Sequence, residues 1–150
     1  MRIHQWLKIL AQGKGSDLFL ATGAPPCAKF SGELKTIAPD VLAPGEVAAI
    51  ADEIMDDTQR EEFARELEMN LALFMPGIGR FRVNIFRQRN EVSIVSRFIV
   101  SEIPQWHELG LPEVLTELIM QKHGLILFVG ATGSGKSTSL AAMVDYRNRQ

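Results

Sequence analysis

Cysteine is almost absent from the 150 residues: Cys27 stands alone. No internal disulfide or multi-thiolate zinc site can form, so the fold must rest on burial and hydrogen bonding, as suits a reducing compartment. Cys27 itself is expected as a small buried residue. Histidine is sparse too, with three residues. His4, His107 and His123 share no ligand spacing, and His107-Glu108 lacks the second histidine of a zinc-protease helix. Aromatic residues make up only 7%, and Trp6 and Trp106 read as packing residues. No apolar run is long enough to span a bilayer, and the N-terminus lacks the apolar stretch and cleavage site of a secretory signal, so the protein is expected to stay inside the cell. Nor is there a strong charge of either sign: the net charge of -2 gives no electrostatic reason to expect nucleic acid or an anionic membrane as the main partner.

What is present is patterned. Ile3, Trp6, Leu7 and Leu10 recur at helical spacing, which predicts a helix over 2–12 ended by Gly13-Lys14-Gly15. Short extended runs over 17–21, 27–30 and 33–37 are separated by turn compositions, Gly23-Ala24-Pro25-Pro26 and Ser31-Gly32. Pro44 is placed to open a helix through Val47, Ile50, Ala51 and Ile54. A second helix is expected at Thr58, with Thr58 as cap and Glu61 reaching back. Asp52, Glu53, Asp56 and Asp57 read as a solvated face. From Asn70 the period becomes two: Leu71 and Leu73, then Phe81, Val83 and Ile85 against Arg80, Arg82 and Asn84, then Val92, Ile94, Ser96 and Phe98 with Arg97 on the opposite side. A mixed α/β domain over 1–100 is the result, followed by a linker over 101–111 and a second domain from Pro112. There a helix through Leu115, Leu118 and Ile119 precedes Leu125-Ile126-Leu127-Phe128-Val129, a run typical of a strand buried on both faces in a parallel sheet.

That run leads directly into Gly130-Ala131-Thr132-Gly133-Ser134-Gly135-Lys136-Ser137, a phosphate-binding loop of the form G-x-x-x-x-G-K-S, with a helix-compatible segment after it. Glycine lets the backbone amides turn inward around a β-phosphate, and the following helix presents its positive end. Lys136 neutralises β/γ charge, the Ser137 hydroxyl takes a magnesium position, and Thr138 is a weaker α-phosphate contact. A chance match in a chain of this length arises about once in two hundred sequences of average composition. ATP with Mg2+ is the expected ligand. Arg80, Arg82, Arg87, Arg89 and Arg97 concentrate positive charge in an otherwise slightly acidic chain, and three readings stay open for them: a solvated strand face, phosphate-engaging side chains, or a nucleic-acid groove. The last is disfavoured, because Phe81 and Phe86 fall on opposite strand parities and Phe81 reads as buried.

Gly79-Arg80-Phe81-Arg82-Val83-Asn84-Ile85-Phe86, Val95-Ser96-Arg97-Phe98-Ile99, Leu109-Gly110-Leu111-Pro112 and the loop with Thr138-Ser139-Leu140-Ala141-Ala142-Met143 together resemble the type IV pilus retraction ATPases, the PilT/PilU family. Ser16-Asp17-Leu18-Phe19-Leu20 and Gly23-Ala24-Pro25-Pro26 resemble that family's opening. Phe19 in place of a histidine, and Arg89-Asn90-Glu91-Val92 in place of a glycine- and alanine-rich turn, lean toward the PilU branch. The resemblance implies an N-terminal PAS-like α+β domain followed by the beginning of a RecA-like P-loop ATPase domain. It also implies a cytoplasmic homo-hexamer at the inner face of the bacterial inner membrane, with a paralogous pilus ATPase and the inner-membrane platform protein as partners. From it Arg80, Arg82 and Arg97 are expected to engage bound nucleotide. The carboxylate box, the second acidic motif and the histidine box would lie beyond Gln150, so the chain is expected to be the N-terminal part of a longer motor, with the portion alone inactive. A type II secretion ATPase and a non-hydrolysing, nucleotide-binding assembly subunit are the competing readings.

Overall fold

The computed structural model describes residues 2–100, 103–131 and 133–150. They form two compact units, one ending at residue 100 and the other following it.

The first unit is built on one sheet. Its strands are β1 (Asp17–Ala21), β2 (Cys27–Phe30), β3 (Glu33–Thr36), β4 (Glu68–Met75), β5 (Gly79–Gln88) and β6 (Glu91–Ile99). They run in the spatial order β3-β2-β1-β6-β5-β4, with every neighbour antiparallel. The chain thus lays down a three-stranded meander, crosses over through helices, and returns with a second meander whose last strand pairs the first. Period-two alternation sends Leu18, Leu20, Val83, Ile85 and Ile94 to a single face where each is essentially inaccessible to water. Helix α1 (Arg2–Gln12) places Ile3, Trp6, Leu7 and Leu10 against that face, and α2 (Glu46–Ile54) adds Val47, Ile50 and Ala51. A single apolar cluster fills the space between helices and sheet. The α/β fold class and N-terminal α+β domain read from the sequence hold.

Turn chemistry fixes the register. Arg89 and Asn90 both have positive φ, 52° and 64°, the two-residue type I′ geometry that matches strand twist, so Gln88 faces Glu91 directly. Gly79, at φ 143°, has no room for a side chain: a Cβ there would lie 2.6 Å from the Phe98 ring.

Three local expectations are corrected. The cap of α3 (Asp57–Glu66) is Asp56 and not Thr58: the Asp56 carboxylate accepts from the Gln59 amide at 2.8 Å, and the Gln59 side chain accepts from the Asp56 amide at 3.0 Å. The reciprocal pair satisfies two donors at once, so Asp56, exposed as expected with Asp52, Glu53 and Asp57, also caps the helix. Cys27 is half-buried and lies on the sheet face away from the core, with its thiol directed to the Pro25 carbonyl; Ala28 occupies the core position beside it. Residues 125–129 form no strand. A strand needs a hydrogen-bonding neighbour, none pairs with this run among the described residues, and Leu125, Leu127 and Val129 stand 72–90% exposed.

The second unit holds α4 (Val114–Ile119) and α5 (Lys136–Arg149), joined by Arg147, whose guanidinium donates to the carbonyls of Ile119 and Gln121 at the end of α4. Trp106 packs edge-on against Tyr146 of α5.

Ser96 tests the packing of the first unit. It is fully buried on the apolar face between Leu18 and Val83, and its hydroxyl has no hydrogen-bond partner. Removing an unsatisfied buried hydroxyl relieves a desolvation penalty. Ser96→Ala is therefore expected to leave thermal stability unchanged or raise it by up to about 1 kcal/mol. A clear loss in a melting experiment would mean that the hydroxyl is bonded in solution.

Candidate phosphate loop and arginine row

The phosphate loop takes its shape from its glycines and from its own lysine. Gly133 and Gly135 lie in the left-handed region, at φ 82° and 87°, and Gly135 caps α5. A Cβ on Gly130 would crowd only the rotatable Ser134 hydroxyl, at 2.7 Å, so it is the later two glycines that the backbone conformation requires. The Ser134 amide bonds to the Ala131 carbonyl at 3.2 Å. Lys136, the first residue of α5, folds back so that its ammonium donates to the same carbonyl at 2.5 Å. The ammonium is thus held over the loop at the positive end of a fourteen-residue helix, where an anion is favoured. Ser137 and Thr138, in the first turn, are not buried. Thr132 lies outside the described residues. Donor set, curvature and lysine fit a nucleotide polyphosphate, with the Ser137 hydroxyl available to serve as a hard oxygen ligand for magnesium.

Arg80, Arg82 and Arg97 lie on the sheet face that α1 and α2 leave uncovered. The register aligns one row across four strands: Lys29 on β2 opposite Asp17 on β1, Asp17 opposite Arg97 on β6, and Arg97 opposite Arg82 on β5. Asp17, Arg82 and Arg97, with Asn70, Asn84 and Val95, line a shallow depression of about 270 Å³. Arg80 is not part of it: two residues along β5, its guanidinium lies 5.9 Å from the centroid of the Phe74 ring, a cation–π arrangement. Arg87 and Arg89 are exposed at the far end of the same hairpin. Of the three arginines expected to act on nucleotide, the structure brings Arg82 and Arg97 together and sets Arg80 apart. Phe81 is buried beneath the row, packed against Phe98.

Sequence patterning does not single out Asp17. It is only 7% exposed, and its carboxylate accepts from Nε of Arg97 at 2.8 Å. Burial by itself pushes its pKa up. The hydrogen bonds from Arg97 and Ser16 and the charges of Arg97 and Lys29 outweigh burial and hold the carboxyl below its usual value. Asn70 and Asn84 escape a sequence reading too; Asn84 donates to Asn70 and to Glu68, closing a small polar ladder beside the arginines. Local patterning carries no signal for these residues, because each partner lies on another strand and Asp17 meets Arg97 across 80 positions.

The profile of the Type II/IV secretion system protein family matches residues 69–150, which include both the arginine-bearing strands and the phosphate loop. The chain belongs to this family. Within the family it is similar to the type IV pilus ATPase PilU of Pseudomonas aeruginosa, 45% identical over 149 residues that cover 99% of this chain and 39% of that protein. It is also similar to the type IV pilus retraction ATPase PilT of the same organism, 40% identical over 148 residues, 99% of this chain and 43% of that protein. The crystal structure of the pilus retraction motor PilT with bound ADP superposes with a TM-score of 0.80 at 37% identity, covering 95% of this chain and 43% of that one. The chain thus spans about two-fifths of the length of the relatives it matches. Among the described residues no helix is long and apolar enough to cross a membrane.

The Asp17–Arg97 pair predicts a pH-dependent stability. A carboxyl whose pKa is lowered by folding contributes in full above its unfolded value of about 3.9, and the contribution disappears as pH falls through the lower folded value. Arg97→Ala is expected to destabilise the protein by on the order of 1 kcal/mol at pH 7, a modest figure because the guanidinium is largely exposed. The difference from wild type should shrink steadily as pH is lowered below about 3.9. Melting curves at neutral and acid pH check this, and a difference independent of pH would contradict it.

Proposed function

We propose that this chain is the nucleotide-binding N-terminal part of a hexameric motor ATPase that drives type IV pilus retraction. The observation that carries the reading is Lys136, at the head of α5, with its ammonium drawn onto the Ala131 carbonyl of the phosphate loop, in a chain 45% and 40% identical to PilU and PilT across nearly its whole length. In this reading the loop backbone over Gly130, Ala131, Thr132, Gly133, Ser134 and Gly135 surrounds the β-phosphate of ATP, Lys136 bridges the β- and γ-phosphates, and Thr138 touches the α-phosphate. The Ser137 hydroxyl is one ligand of magnesium, whose bound charge would offset that of the leaving phosphates. Residues 1–100 form the PAS-like domain, 101–111 the linker, and 112–150 the start of the RecA-like domain. Arg82 and Arg97, and Arg80 more peripherally, present guanidinium groups to the outer phosphates, a task suited to their planar fork.

The motor works as a homo-hexamer in the cytoplasm, at the inner face of the inner membrane, alongside the paralogous pilus ATPase and the platform protein. The exposed apolar run over 125–129 becomes a sheet strand when the remainder of the ATPase domain supplies its neighbours. In this reading the acidic motifs needed to activate water belong to that remainder, and residues 1–150 alone are inactive.

ATP turnover by the full-length protein, read together with its size in solution, tests the proposal. Turnover in a ring-sized species should fall by at least about a hundredfold in Lys136→Ala, given the charge the lysine neutralises in the transition state. A wild type that binds nucleotide and forms rings without turnover would instead be an assembly subunit, and the motor reading would fall.

A further inference from the structure

Stability does not explain why Arg82 and Arg97 stand side by side. Like charges directly opposite on neighbouring strands repel, yet the row on the uncovered face sets Arg97 beside Arg82 and supplies a single carboxylate for both. Among the described residues no carboxylate pairs with Arg82, and Arg97 is bonded only through Nε. A guanidinium has two donor edges. Anchoring Nε to a buried oxygen fixes the plane of the group and leaves the edge formed by the two terminal amino groups free, on a side chain that is still 66% exposed. Asp17 is itself immobilised: it opens β1, is flanked by Lys29 on one side and Arg97 on the other, and has almost no exposed surface. The rigid strand therefore orients the carboxylate, and the carboxylate orients the arginine.

We infer that Asp17 is a positioning residue: by holding Arg97 through Nε it aims the terminal amino edge of that side chain, beside Arg82, at an incoming nucleotide phosphate. This rests on the reading of Arg97 as a phosphate-engaging residue. It adds that the effectiveness of the arginine comes from its fixed orientation. A long side chain free to rotate would lose rotamer entropy on engaging phosphate, and the Asp17 bond removes that loss in advance.

The test is a double-mutant cycle on ATP turnover by the full-length protein, with Asp17→Ala, Asp17→Asn, Arg97→Ala and Asp17→Ala/Arg97→Ala, and with melting temperature and ring size measured alongside. Asp17→Ala should lower kcat by on the order of tenfold, the equivalent of losing one charge-assisted orienting bond, with little change in KM, because the phosphate loop still binds the nucleotide. Asp17→Asn keeps an acceptor for Nε and should recover part of the loss. In the Arg97→Ala background, removing Asp17 should have no further effect on kcat. If Arg97→Ala leaves turnover unchanged, the arginine does not engage phosphate, and both that reading and the positioning role fail. If Arg97→Ala lowers turnover but Asp17→Ala in folded rings does not, or lowers it equally with and without Arg97, the arginine reading stands and the positioning role is overturned.

Discussion

Ten residues of β5 lie against nine of β6 in one antiparallel register, and nearly everything else in the first unit depends on that alignment. Side chains alternate strictly along a strand, so a one-residue slip of β5 would turn Val83 and Ile85 out into water and bury Arg82, and one of β6 would do the same to Ile94 and Arg97. Burial of three aliphatic side chains against insertion of two guanidinium groups into the core leaves a single acceptable register. The I′ turn at Arg89-Asn90 and the contact of Gly79 with Phe98 hold it from the two ends. Once the register is set, the arginines have no choice of face.

The two faces of the sheet then divide the work. One is covered by α1 and α2 and carries the apolar cluster. The other keeps charge in a row, Lys29, Asp17, Arg97 and Arg82, with the amides of Asn70 and Asn84 alongside. Placing like charges on adjacent strands opposes folding, and the buried Asp17 offsets only part of that repulsion. In the second unit a similar economy governs the loop: its glycines surrender conformational freedom, and its lysine is folded back on a carbonyl of the loop itself. On the proposed reading, local stability is in both places set against the readiness to receive an anion, which is where sequences are expected to depart from the most stable choice.

Much of this is legible in the sequence, and the reasons can be traced. Helical spacing at Ile3, Trp6, Leu7 and Leu10 and period two along Phe81, Val83 and Ile85 report burial, the dominant driving force of folding, so α1 and the long strands can be placed nearly to the residue. The phosphate loop is legible because its chemistry is contiguous in sequence. What escapes depends on partners far along the chain or on competition between near-equivalent caps. Asp56 and Gln59 fit the same reciprocal pattern as Thr58 and Glu61, and only geometry chooses between them. Asp17 and Arg97 meet through a strand pairing that no local window contains. The run over 125–129 reads as a buried strand because its composition records a neighbour, and among the described residues that neighbour does not occur. The separation of Arg80 from Arg82 and Arg97 likewise follows from the Phe74 ring on the next strand.

The proposal at the centre of this account is that Arg82 and Arg97, fixed on the open sheet face, engage the phosphates of a nucleotide. The most direct measurement is the ratio of ATP to ADP affinity in the full-length protein, compared with that of an Arg82→Ala/Arg97→Ala variant. The account predicts that wild type favours ATP and that the variant loses most of that preference while still binding ADP through the loop. A ratio left unchanged by removing both arginines would contradict it.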